Sequence, residues 1–267
     1  MATAAPAAAS TTPTWTETTS YPSPFNPYSI ACPSATVCEV AGLSLSGGAI
    51  MGTTNGGSTW TTQTVPAGVT NVSTLVCPST TVCIALGGDR LGGVVLGTTD
   101  GGVTWTTQTL PAGFTYGYSV DLACPSVSVC ELAGSDISGN PVVLGTTNGG
   151  STWTTQTVPA GFTYGYPVDL ACPSVSVCEL TGSDSSGNGV AFGTTNGGAA
   201  WTSQTLPAGV TSFSDLVCPS TTMCEATGYA SSGNPVVLGT TNGGTTWTTQ
   251  TLPAGTIIYS DLACPSA

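Results

Sequence analysis

Trp60, Trp105, Trp153, Trp201 and Trp247 follow one another at intervals of 45, 48, 48 and 46 residues, and each closes the same short phrase, written first as Gly52–Trp60, GTTNGGSTW. Triplets reading CPS, beginning at Cys32, Cys77, Cys124, Cys172, Cys218 and Cys264, keep the same beat. Inside one unit lie four short strand-forming runs, in the third copy Val120–Cys124, Val129–Ala133, Pro141–Gly145 and Thr152–Thr157. Gly, Pro, Ser, Asn and Asp fill the gaps between them, as turns require. Four strands and four loops account for a period of about 46 residues. Such a period without helical patterning specifies stacked sheet modules, so the chain reads as all-β, a β-propeller of four-stranded antiparallel blades. Five blades are expected, with six as the alternative.

The copies are close to identical. Gly113–Ser135 and Gly161–Ser183 agree at 21 of 23 positions, the exceptions being Ser119/Pro167 and Ala133/Thr181. A catalytic centre needs different side chains in different roles. Repetition therefore points to a scaffold or a multivalent binder, not to an enzyme.

Composition narrows the partners. The chain has 267 residues with one cation, Arg90, thirteen acids, no His and a formal charge of -12. Nothing is available to neutralise phosphates, which disfavours nucleic acid and anionic membrane surfaces. No run of apolar residues is long enough to insert in a membrane. Acidification discharges the carboxylates while no histidine charges up, so tolerance to low pH is expected.

Ten of the eleven cysteines form five C-x5-C pairs: Cys32/Cys38, Cys77/Cys83, Cys124/Cys130, Cys172/Cys178 and Cys218/Cys224. That spacing suits a disulfide across a hairpin, whereas zinc sites need closer knuckles or histidines. Such a load of bridges belongs to an oxidising compartment, so the protein is expected to be secreted or at the cell surface. Cys264 has no mate; it marks a truncated sixth repeat, a free thiol or a bridge to another molecule. Residues 1–13 read as a disordered start to a mature secreted chain, and residues 14–267 as one propeller domain. Within it, the strand at Trp15 is expected to join the last repeats in a closed ring.

The phrase before each tryptophan resembles the Asp-box, or BNR, repeat of sialidase-like propellers, whose pattern is Ser/Thr-x-Asp-x-Gly-x-Thr-Trp. Here it is carried by Asn55 with Trp60, Asp100 with Trp105, Asn148 with Trp153, Asn196 with Trp201 and Asn242 with Trp247. Asn replaces Asp in four of the five, and the fourth copy has Ala200 where the others have Thr. The resemblance implies a structural turn between the third and fourth strands, with the glycines taking positive φ. It does not bring sialidase activity, because those enzymes hold their substrate with three arginines and this chain has one.

Two sets of residues remain as candidate sites. The loops after strands four and two hold Tyr116, Tyr118, Tyr164 and Tyr166 beside Asp136, Asn140, Asp184 and Asn188. Exposed rings with nearby carboxylates and amides suit sugars; alternatively the aromatics pack between blades and the polar groups build turns. Asp121, Asp169, Asp215 and Asp261 on the first strand, with Glu39, Glu131, Glu179 and Glu225 after the second cysteine, form acidic rings able to take Ca²⁺ or merely to cap loops. No catalytic residue and no required cofactor is assigned. The expected function is a secreted, non-enzymatic scaffold or recognition module, with a multivalent lectin, a self-assembling subunit and a glycoside hydrolase as alternatives. Its partner would be a glycan, another extracellular protein or a second copy.

Overall fold

The computed structural model describes residues 24–111, 121–136, 138, 140–160, 162, 169–253, 255–257 and 262–264. Sheet one comprises β1 (Phe25–Ala31), β2 (Cys38–Ser44), β3 (Gly47–Thr53) and β4 (Thr61–Gln63). Sheet two comprises β5 (Asn71–Val76), β6 (Cys83–Gly88), β7 (Gly93–Thr98) and β8 (Thr106–Thr107). Sheet three holds β9 (Asp121–Ala123), β10 (Cys130–Ser135), β11 (Pro141–Thr146) and β12 (Thr154–Gln156). Sheet four holds β13 (Asp169–Ala171), β14 (Cys178–Ser183), β15 (Gly189–Thr194) and β16 (Thr202–Ser203). Sheet five holds β17 (Val210–Val217), β18 (Cys224–Ala230), β19 (Pro235–Thr240) and β20 (Thr248–Thr249).

Every sheet is an antiparallel meander with its strands in chain order. The register repeats as well: Cys130, Glu131 and Leu132 face Thr146, Gly145 and Leu144, while Cys178, Glu179 and Leu180 face Thr194, Gly193 and Phe192. Successive first strands lie side by side, β1 against β5, β5 against β9, β9 against β13 and β13 against β17. The fold is that of a β-propeller, and its five complete sheets run from Phe25 to Thr249.

The cores lie between sheets. Ala41 and Ile50 of sheet one pack with Val72, Leu75, Leu96 and Trp105 of sheet two, and Ile84, Leu86 and Val95 pack on Leu122, Leu132 and Trp153. Further on, Ala133 and Val143 meet Leu170, Phe192 and Trp201. In sheet two the second and third strands are almost wholly buried and read as continuous apolar runs, while in the other sheets a glutamate follows the cysteine that opens the second strand; the fourth strands are short, largely exposed and rich in threonine. Short polar outer strands limit edge-to-edge pairing.

All five expected disulfides are present, each tying the end of a first strand to the start of the second with Cα atoms 4.0–4.1 Å apart. Cys264 is free. Beyond sheet five, the Leu262 amide donates to Asp215 Oδ2, as the Leu170 amide donates to Asp121 Oδ2 at 2.8 Å across the boundary between sheets three and four. Residues 262–264 thus lie against β17 in the position of a further first strand. The segment around Trp15, Asp261 and the expected disordered 1–13 fall outside the described residues.

Candidate functional site

Three repeated constructions hold many of the polar side chains among the described residues. The first is the turn before each tryptophan. Thr53 Oγ1 donates to Asn55 Oδ1 at 2.9 Å and accepts the Gly57 amide at 3.0 Å, while Asn55 Oδ1 also accepts the Thr59 amide at 2.9 Å. Gly56 and Gly57 have φ of 66° and 82°, which no β-branched residue tolerates at low cost. The same bonds recur at Asp100, Asn148, Asn196 and Asn242. Sequence reasoning located the turn but missed its anchor, the first of the two threonines. Thr104 and Thr98 hold the Asp100 carboxyl below the usual range by hydrogen bonding.

The second construction joins neighbouring sheets. Trp105, Trp153, Trp201 and Trp247 donate Nε1–H to Oε1 of Gln63, Gln108, Gln156 and Gln204 in the preceding sheet, at 2.7–2.8 Å. Two of these glutamines, and Gln250 of sheet five, direct their Nε2 to a glutamate of their own sheet. Gln156 donates to Glu131 Oε2 at 2.7 Å, Gln204 to Glu179 Oε2 at 2.5 Å and Gln250 to Glu225 Oε1 at 2.8 Å. In sheet two Ile84 stands where the others have Glu, and Gln108 Nε2 donates instead to the Gly149 carbonyl at 3.3 Å.

Glycine makes room for this relay. A Cβ on Gly145 would lie 2.2 Å from Gln156 Nε2 and 2.9 Å from Glu131 Oε2, and one on Gly198 would lie 2.0 Å from Gln156 Oε1. The glutamates expected to form an acidic ring are thus engaged within their own sheets, each with a glutamine at the fourth strand. Burial pushes Glu39 and Glu131 up to about 7 and Glu179 to about 8, with the glutamine bond pulling the other way. Neither the glutamines nor these glycines were singled out in the sequence; their identical place in every copy was the available signal.

The first-strand aspartates do approach one another. Asp121 accepts the Leu122 and Leu170 amides at 2.8 Å, and burial raises its pKa. Burial, then the charges of Asp121 and Asp215, push Asp169 up to about 7. Among the described residues, no group of three or more His, Cys, Asp or Glu is arranged to hold a metal ion.

The third construction is the loop between the second and third strands. Asp136 Oδ1 accepts the amides of Ser138 and Asn140, each at 2.8 Å, and Asp136 Oδ2 accepts Asn140 Nδ2 at 2.9 Å. Asp184 and Asn188 repeat the arrangement, and hydrogen bonds from Asn188 lower the Asp184 pKa. In these candidate ligand-binding pairs the asparagines are exposed and the aspartates half-buried, and each asparagine donates to its own aspartate. Tyr116, Tyr118, Tyr164 and Tyr166 lie outside the described residues. Their neighbour Phe162 is buried edge-on against Phe192, with ring centres 5.5 Å apart. That aromatic fills the space between sheets, as the alternative of inter-blade packing had it.

Among the open spaces are a cleft of about 520 Å³ lined by Glu39, Thr61, Gln63, Thr81 and Asp100 and one of about 250 Å³ lined by Thr98, Gln108 and Gly150, beside more apolar hollows of about 380 Å³ at Phe25, Met51 and Val65 and about 310 Å³ at Phe192, Leu206 and Val210.

No protein-family model matches the chain, and no curated protein matches it. Among solved structures, a GH74 enzyme from Niastella koreensis is similar at a TM-score of 0.64 and 18% identity, covering 84% of this chain and 38% of that one. YCF48 from Cyanidioschyzon merolae gives 0.59 at 13% identity, covering 85% and 70%. A structure titled YCF48 bound to D1 peptide gives 0.51 at 15% identity, covering 85% and 83%. The chain spans about two fifths of the GH74 enzyme, and these likenesses establish the β-propeller fold.

Proposed function

We propose that this chain is a secreted, non-catalytic β-propeller that serves as an extracellular scaffold and recognition module. The observation that carries this reading is the use made of the buried carboxyls. Glu131 and Glu179 do the same job in successive sheets, each bonded to a glutamine that in turn holds the next sheet's tryptophan. Hydrolysis of a glycoside asks two carboxyls for two roles in two environments. Equivalent carboxyls engaged in holding blades together do not offer that division. Five disulfides support the extracellular assignment, since a reducing cytosol disfavours them.

A polypeptide partner is favoured by the fold's similarity to the structure titled YCF48 bound to D1 peptide. The test has two arms. Incubation with xyloglucan and other soluble β-glucans is expected to release no reducing ends, and fractionation of the native host is expected to recover the chain outside the cell with its five bridges oxidised. Steady sugar release, or recovery of reduced cytosolic protein, refutes the proposal.

A second reading, a multivalent lectin, draws support from the matching Asp136/Asn140 and Asp184/Asn188 pairs on successive sheets. A glycan array decides it: saturable binding that disappears in Tyr116→Ala and Tyr164→Ala establishes the lectin, and an array without hits removes it.

A further inference from the structure

Four of the five turns place asparagine before glycine, at Asn55-Gly56, Asn148-Gly149, Asn196-Gly197 and Asn242-Gly243. In such a pair the glycine nitrogen attacks the asparagine Cγ, unhindered by any Cβ. A C–N bond forms, the side-chain amide departs as ammonia with the glycine N–H proton, and water opens the cyclic imide to aspartate or isoaspartate. The fold guards against this step, and the guards are unequal.

Two of them are common to all four turns. Each glycine amide donates to a carbonyl of the hairpin loop between the first two strands, to Thr36, Ser128, Ser176 and Thr222 respectively, always at 2.9 Å. Each asparagine Oδ1 accepts two bonds, from a threonine hydroxyl two residues before and from an amide four residues after. The third guard pins the side-chain nitrogen: Asn55, Asn148 and Asn242 donate Nδ2 to the hydroxyls of Thr59, Thr152 and Thr246 at 2.8–2.9 Å. Sheet four has Ala200 at that position, and no described residue accepts from Asn196 Nδ2.

We propose that Asn196 is the site of spontaneous deamidation among these turns, because its side chain lacks the threonine hydroxyl that holds the other three away from the neighbouring backbone nitrogen. The aspartate produced is accommodated. Asp100 already occupies this position in sheet two, with the Thr98 hydroxyl and the Thr104 amide on its Oδ1 at 2.8 and 2.9 Å. Conversion adds one negative charge to an exposed turn, while the isoaspartate branch lengthens the backbone there and records the age of the molecule.

The test follows all four sites by peptide mapping and mass spectrometry, as the one-dalton gain in the folded full chain held at mildly alkaline pH. One lost hydrogen bond corresponds to roughly a fivefold rate difference, so Asn196 is expected to convert about five times faster than Asn55, Asn148 and Asn242. Two exchanges between sister turns, each installing a residue that another copy already carries, sharpen the test. Ala200→Thr is expected to slow Asn196 to the common rate, and Thr152→Ala to raise Asn148 to the rate of Asn196. In reduced, denatured protein the four rates should converge. Equal rates in the folded chain, an Asn196 rate indifferent to Ala200→Thr, or a lead that persists after denaturation would each overturn the proposal.

Discussion

The Trp201 indole nitrogen donates to Gln156 Oε1 at 2.8 Å, and through the other end of that glutamine sheet four is tied to Glu131 in the middle of sheet three. One amide satisfies two buried groups on two blades. Replacing Gln156 by Leu leaves the Trp201 N–H and the Glu131 carboxyl without their partners, at a cost of about 2–3 kcal/mol. The melting temperature is expected to fall by roughly 5–10 °C. Gln250→Leu, at an exposed position, serves as the comparison and is expected to cost far less. Equal losses from the two variants would show that the tryptophan–glutamine bond contributes nothing to cohesion.

Gly145→Ala tests the same relay from the other side. Its new methyl would sit 2.2 Å from Gln156 Nε2 and displace the glutamine from Glu131. The substitution should be strongly destabilising in the native sequence and much less so on a Gln156→Ala background, where only the 2.9 Å approach to Glu131 Oε2 remains. Additive losses in this double-mutant cycle, read by urea denaturation, would contradict the contact.

The buried glutamates set the response to pH. Their folded-state values of about 7, 7 and 8 at Glu39, Glu131 and Glu179 lie above the ordinary 4.5. Below 4.5 both folded and unfolded chains hold these protons and the stabilisation is complete. Between 4.5 and 8 the folded chain keeps protons that the unfolded chain has released, so stability falls as pH rises. Asp169, at about 7, acts in the same direction. Asp100 and Asp184, lowered from 3.8, act oppositely, and their stabilisation is lost only on stronger acidification. The urea midpoint is therefore expected to be higher near pH 5 than above pH 8, and Glu131→Gln should flatten the slope. A midpoint that climbs towards alkaline pH would refute the assignment.

Removing one bridge, by the paired change Cys124→Ser and Cys130→Ser, opens a short loop whose closure is worth about 2.4 kcal/mol on the chain-entropy estimate. Because each bridge lies within one hairpin, the five losses should be similar, and reduction should lower the thermal midpoint stepwise. A single bridge whose removal unfolds the whole chain would show a role beyond its own hairpin.

The strands, the turns and the disulfides were legible because each is a local pattern: the Cys124 and Cys130 pair is six residues apart, and the Thr98–Thr104 turn closes on itself. The blade junctions were not. Gln156 meets Glu131 from 25 residues away and Trp201 from 45, separations at which no spacing rule applies. Gly145 read as the last residue of a strand run, yet it is needed because a glutamine lies across it. The place of the loop aromatics, Phe162 among them, stayed open between two readings for a related reason. Nothing in a glycine-rich, tyrosine-bearing loop distinguishes a ring that inserts over Gly182 from one that faces water.

Each unit brings a tryptophan for the sheet before it and a glutamine for the sheet after it, so both halves of every seam travel on one contiguous stretch of polypeptide. Duplicating or deleting a whole unit in the gene would splice a matching donor to a matching acceptor every time. Blade number is thereby free to drift during evolution without a single new interface having to be invented.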